Sequence, residues 1–116
     1  MTQTPVPYAL LICNGEMAAP EVVRQLAEHA QSVICADGGA NAAHALRILP
    51  HTVIGDFDSI SREVEDDFTG RGVEMQRITQ QNDTDFEKAL VLLCERGVKR
   101  VAVIGLTGKL LDHTLG

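Results

Sequence analysis

Five strand-like segments, set about a helix's length apart, constrain this fold more than any other feature. They are Tyr8 to Cys13, Ser32 to Ala36, Thr52 to Ile54, Val73 to Ile78 and Arg100 to Ile104. The first, Tyr8-Ala-Leu-Leu-Ile-Cys13, is an unbroken apolar run. Such a run marks a strand buried on both faces, the habit of parallel sheets. The intervals read as helices. Pro20 suits a first helical position, and Val22, Val23, Leu26, Ala27 and Ala30 follow helical spacing. An alanine-rich helix is expected over Ala40 to Leu49, stopped by Pro50. Ser61 can cap a third, with Glu63, Glu65 and Asp66 near its start, where negative charge is favoured, and Gly70 and Gly72 at its end. Asp83 or Thr84 caps a fourth, with an apolar stripe of Phe86, Ala89, Leu90, Leu93 and Cys94 and with Gly97 just past its end. A further helix is expected to start near Asp112. Strands alternating with helices predict an α/β fold, a three-layer α/β/α arrangement around a central, mainly parallel, Rossmann-like sheet.

The 116 residues are one domain by length and bury roughly two-thirds of the unfolded surface. The net charge of −6 argues against general nucleic-acid binding. Cys13, Cys35 and Cys94 lie in apolar segments without zinc-like spacing, and read as reduced core thiols of a cytoplasmic protein. The run at Tyr8 is too short to span a membrane, and Met1 to Pro7 has no basic n-region, so neither a membrane partner nor a signal peptide is expected. The chain stops in what reads as the first turn of its last helix, so the parent protein is expected to continue.

Acidic residues follow the expected strand ends: Asp37, the pair Asp56 and Asp58, the pair Asp83 and Asp85, and Asp112. In open α/β sheets ligands bind outside the carboxyl ends of the strands. Carboxylates gathered there repel one another, but they suit a hard divalent cation bridging to phosphate. Along an extended Gly55-Asp56-Phe57-Asp58-Ser59, both aspartates would share one side and Phe57 would turn to the core. Turn formation and helix capping account for Asp58 and Ser59 but leave Asp56 unexplained. In Asp37-Gly38-Gly39-Ala40-Asn41 the glycines allow close approach of a ligand, and the following helix start suits a phosphate. The plain alternative is a turn with Asp37 as a cap. Lys88, one turn after Asp85, either neutralises it or holds a phosphate oxygen. Gly105-Leu106-Thr107-Gly108-Lys109 lacks Walker spacing, yet its amides and Lys109 can hold phosphate oxygens. Asp112 beside His113 is a metal- or nucleophile-orienting pair, or an ordinary cap.

Taken in order, Ala36-Asp37-Gly38-Gly39-Ala40-Asn41, Gly55-Asp56-Phe57-Asp58-Ser59, Gln81 to Leu90, and Gly105-Leu106-Thr107-Gly108 with Asp112-His113-Thr114-Leu115 resemble the N-terminal catalytic domain of the thiamine pyrophosphokinases. The resemblance runs from about Leu11 to the end. It implies transfer of diphosphate from ATP to the hydroxyl of thiamine, giving thiamine diphosphate and AMP, with Mg2+ as cofactor. It implies catalytic and metal-binding roles for Asp56, Asp58, Asp83 and Asp85. It also implies an ATP-facing set of Asp37, Gly38, Asn41, Lys88, Thr107, Gly108, Lys109, Asp112 and His113. A homodimer is implied for the full-length protein, as is a C-terminal β-sandwich domain that this chain lacks and that completes the thiamine pocket. Where the family often reads Gly-Gly-Arg after Thr-Gly, this chain has Lys109, Leu110 and Leu111, and a lysine supplies charge without the arginine fork. Rival readings are a pyrophosphokinase with another alcohol acceptor, of the pterin type, a metal-dependent phosphohydrolase, and a truncated, non-catalytic nucleotide- or metal-binding module.

Overall fold

The computed structural model describes residues 7–17, 19–78, 85–105 and 111–114. Ten elements follow one another: β1 (Ala9–Ile12), α1 (Pro20–His29), β2 (Ser32–Ala36), α2 (Gly39–Ala45), β3 (Thr52–Gly55), α3 (Arg62–Gly70), β4 (Glu74–Arg77), α4 (Asp85–Glu95), β5 (Arg100–Ile104) and β6 (Leu111–Thr114). The strands form one sheet in the order β4-β3-β2-β1-β5-β6. β1 to β5 are parallel, and β6 runs antiparallel against β5. The expected three-layer α/β/α architecture is the one observed.

The period-two alternation of each strand sorts the core into two halves. Leu10 and Ile12 of β1, Val33 and Cys35 of β2 and Val53 of β3 point to one face, where Val23 of α1, Ala40 and Ala43 of α2, and Val64 and Phe68 of α3 cover them. Ala9, Leu11, Ile34, Ala36 and Ile54 point to the other, where Ala89 and Leu93 of α4 lie. Full burial of a side chain such as Val23 or Leu93 contributes roughly 1.5–3 kcal/mol. From β1 the chain steps through β2 and β3 to β4, then α4 carries it back across the opposite face to β5 on the far side of β1. The direction of winding therefore reverses between β1 and β5, and there the two strand ends are tied by the Cys13 amide, which donates to the Ile104 carbonyl at 2.8 Å.

Several elements differ from the sequence expectation, each for a physical reason. α2 ends at Ala45, not Leu49, because Arg47 takes a left-handed φ of 61° and the Ile48 amide bonds back to the Ala43 carbonyl, folding Ile48 into the core. The helix expected near Asp112 is instead strand β6. The segment pairs antiparallel with β5, Asp112 lying opposite Ala102, and its carboxylate takes a forked pair of bonds from the Arg100 guanidinium, so pairing across the sheet takes the place of the helix. Cys13 and Cys35 are buried as expected, whereas Cys94 is exposed because it lies off the α4 face that carries Ala89 and Leu93. Ser61 does cap α3: its Oγ accepts from the Val64 amide at 3.3 Å. Among the described residues no helix is long and apolar enough to cross a membrane.

Candidate active site at the carboxyl edge

β2 and β3 are neighbours in the sheet, and each leaves an acidic turn at its carboxyl end. The first turn is fixed by backbone bonds. The Asp37 amide donates to the Ile54 carbonyl at 2.8 Å, and the Asp37 carbonyl accepts from the Ala40 amide at 3.0 Å. Asp37 itself adopts a left-handed φ of 46°, a conformation aspartate tolerates better than most residues. Its carboxylate does not cap α2, whose N-cap position is taken by Gly38 without any side-chain bond. Asp37 Oδ1 is buried with no hydrogen-bond partner among the described residues. An orphaned buried carboxylate oxygen is costly unless something answers it, and the group that fits is a cation or a hydrogen-bond donor.

The glycines beside Asp37 serve the packing of strand ends. A Cβ on Gly38 would stand 2.4 Å from the side chain of Asn14, and one on Gly39 would stand 2.1 Å from the Ile12 carbonyl oxygen. Gly105, at a φ of +86°, meets the Cys13 carbonyl in the same manner, at 2.2 Å. Three loops thus converge where the winding reverses, the position at which open sheets take ligands. Asn14, in the exposed loop after β1, belongs to this edge, and sequence reasoning gave it no role.

The second turn is not the extended segment the sequence led us to expect. Phe57 sits at a φ of 70° and packs half-buried against the core, so Asp56 and Asp58 flank a tight turn. Asp56 Oδ1 accepts from the Asp58 amide at 2.9 Å, so turn formation does account for one oxygen of Asp56. Both aspartates are exposed. The Asn41 side chain reaches this turn from α2: its Nδ2 donates to the Ser59 carbonyl at 2.7 Å, and its Oδ1 accepts from the Ser61 amide at 3.0 Å. Arg77, the last residue of β4, closes the other side. Its guanidinium carbon lies 5.1 Å from the Phe57 ring centre, and its Nη1 donates to the Asp56 carbonyl at 3.3 Å. Arg77 was missed in the sequence. The signal available was a cation closing a strand that pairs beside Gly55.

α4 packs against β2 and β3 and, following β4, starts at their carboxyl edge. The backbone of Asp85 and half-buried Lys88 are therefore brought to the edge that carries Asp37 and Asp56. Asp83, Thr107, Gly108 and Lys109 lie outside the described residues, as do the side chains of Asp85 and His113. Asp112 is not brought to this edge. It pairs with Arg100 on β6, four strand positions from β3, or roughly 19 Å at the usual strand spacing. Among the described residues no three acidic, histidine or cysteine side chains form a metal cluster. The fit for a cation rests on the unanswered Asp37 oxygen and the exposed carboxylates of the adjacent turn.

Acidic turns on neighbouring strand ends of an open parallel sheet define an α/β domain of the kind that binds its ligand at the carboxyl edge. A family model described as "Thiamin pyrophosphokinase, catalytic domain" matches residues 23–116, and the chain belongs to that family. It is 30% identical over 137 residues to thiamine pyrophosphokinase 1 of Arabidopsis thaliana, a match covering 99% of this chain and 51% of the relative. It is 27% identical over 131 residues to thiamine pyrophosphokinase 3 of Oryza sativa subsp. japonica, covering 94% and 48%. Among solved structures, thiamin pyrophosphokinase from Candida albicans superposes with a TM-score of 0.69 at 28% identity, over 78% of this chain and 32% of that one. The enzyme from Bacillus subtilis, at 22% identity and a TM-score of 0.68, covers 87% and 48% and shares the fold. The chain spans about half the length of the curated relatives it matches.

Proposed function

We propose that this domain holds ATP with Mg2+ at the carboxyl edge of β2 and β3 and serves the transfer of diphosphate to the hydroxyl of thiamine, releasing AMP. The observation that carries the reading is the family membership over residues 23–116. The unanswered Asp37 oxygen beside the Asp56–Asp58 turn supports the place. Asp56 and Asp58, with Asp83 and Asp85, are the residues expected to hold Mg2+, and the unanswered oxygen of Asp37, expected only to face ATP, adds it to that set. When bound, the ion supplies positive charge that offsets the charge building on phosphate oxygens. The protein's own work is orientation. Asp37 is held by its backbone, the second turn by Asn41 and Arg77, and Lys88 brings a cation to the same edge. An aspartate of these pairs accepts the proton of the alcohol as its oxygen bonds to the β-phosphorus and the bond to the AMP oxygen breaks.

The thiamine pocket belongs, in this reading, to the part of the relatives beyond this chain's length, and the whole protein is a cytoplasmic homodimer. The net charge of −6 sets the domain against nucleic-acid backbones. The test is AMP release from ATP and Mg2+, with and without thiamine, by this chain and by the full-length protein. Thiamine-dependent AMP from the full-length protein is expected. AMP formed equally without any alcohol would turn the reading toward a phosphohydrolase, and dependence on a pterin alcohol would replace thiamine as acceptor.

A further inference from the structure

We propose that Asn41 is the positioning residue that locks the Asp56–Asp58 turn to the Asp37 turn, so that carboxylates from two neighbouring strand ends act as one ligand set. The inference rests on the metal–nucleotide reading above and assigns to Asn41 a part other than contact with the nucleotide. Its amide is engaged at both ends by backbone of another loop, donating to the Ser59 carbonyl and accepting from the Ser61 amide. Asparagine offers both a donor and an acceptor from one planar group, whereas an ionised aspartate only accepts and a hydroxyl cannot span both partners. Asn41 stands four residues after Asp37, in the first turn of α2, and its own amide bonds back to the Gly38 carbonyl at 3.0 Å. The strap therefore joins the two acidic turns through one short, rigid path.

The turn it holds needs such a hold. An aromatic residue at a φ of 70° is strained, and it persists only where its surroundings fix it. Arg77 grips one side of Phe57, and Ile60, buried in the core, anchors the chain between the two Asn41 bonds. The α3 cap does not explain the strap, because Ser61 makes that cap with its own hydroxyl while Asn41 takes the Ser61 amide.

Mn2+ binding to this chain, read by electron paramagnetic resonance, and amide hydrogen exchange across residues 58–61 test the strap. Asn41→Ala is expected to weaken Mn2+ binding by about tenfold, on the order of what losing the support around a metal ligand costs, and to speed exchange in the turn. Ser61→Ala, which removes only the α3 cap, is expected to lower thermal stability while leaving Mn2+ affinity in place. Unchanged Mn2+ affinity in Asn41→Ala, or a loss no greater than that of Ser61→Ala, overturns the proposal. A wild-type chain that holds no Mn2+ contradicts the metal reading instead. In that case the exchange arm alone decides whether Asn41 locks the turn, unchanged exchange in Asn41→Ala counting against it and faster exchange for it.

Discussion

Gly39 and Gly70 look alike in the sequence and do opposite things in the fold. A Cβ on Gly39 would meet the Ile12 carbonyl at 2.1 Å, an atom of the central strand that cannot move aside. Nothing lies within 4 Å of the corresponding position at Gly70, in the last turn of α3. Gly39→Ala is therefore expected to destabilise by about 1–3 kcal/mol through overpacking, and Gly70→Ala to stabilise by about 0.4–1 kcal/mol through the unfolded chain. Urea unfolding of both variants measures the contrast, and equal effects would contradict the close packing of the β1 and β2 ends. At this scale the sequence was partly legible. Asp37, Asp56 and Asp58 stand at strand ends, as their place after apolar runs implied. The partners of Asn41 and the stacking of Arg77 on Phe57 were not legible, because both depend on contacts between residues about twenty positions apart. Cys94 illustrates the same limit, since it is exposed, whereas Cys13 and Cys35 are buried as expected, burial pushing the Cys13 thiol up to about 11.

Elements declare themselves where the chain carries its own start and stop signals. Pro20, Ser61 and Gly97 lie where α1, α3 and α4 begin or end, and four of the five parallel strands lie within their expected segments, β3 alone running one residue further, to Gly55. The β6 segment reads as a helix in the sequence because its partner, β5, lies across the sheet, and local spacing is silent on that. Another long-range polar group ties three elements at the amino edge. Arg96, just after α4, donates to Thr52 Oγ1 at 3.1 Å and to Glu74 Oε1 at 2.5 Å, and Thr52 donates to the same Glu74 oxygen at 2.9 Å. The Arg96 bond, with those of Gln76 and Thr52, holds the Glu74 carboxyl below the usual glutamate range. A depressed folded pKa contributes stability that is present above the unfolded pKa, about 4.3, and is lost as pH falls through the folded value. The side chains are 37% and 49% exposed, so solvent screening keeps the pair's worth under about 1 kcal/mol. Glu74→Gln is expected to cost a small amount at pH 7 and nothing once Glu74 is protonated. Urea unfolding at pH 7 and at pH 3 measures this, and a difference that grows in acid would contradict it.

For the whole molecule, the strand order explains why these turns matter. A chain that winds one way from β1 to β4 and returns to β5 leaves its carboxyl edge lined by loops, and the start of α4 brings Lys88 to the same place. The amino edge carries structural pairs such as Arg96 with Glu74, whereas the carboxyl edge of β2 and β3 carries the unanswered Asp37 oxygen and the exposed Asp56 and Asp58. The central proposal is that the carboxylates there hold a Mg2+–nucleotide. The most direct test is calorimetric titration of ATP into this chain, with Mg2+ and with a chelator, for wild type and Asp37→Asn. Asparagine tolerates the left-handed backbone at this position, so the fold is expected to survive. The expected result is ATP binding that requires Mg2+ and weakens about tenfold or more in Asp37→Asn, the effect of losing a charged contact. ATP binding that is equal with and without Mg2+, and equal in the variant, would contradict it.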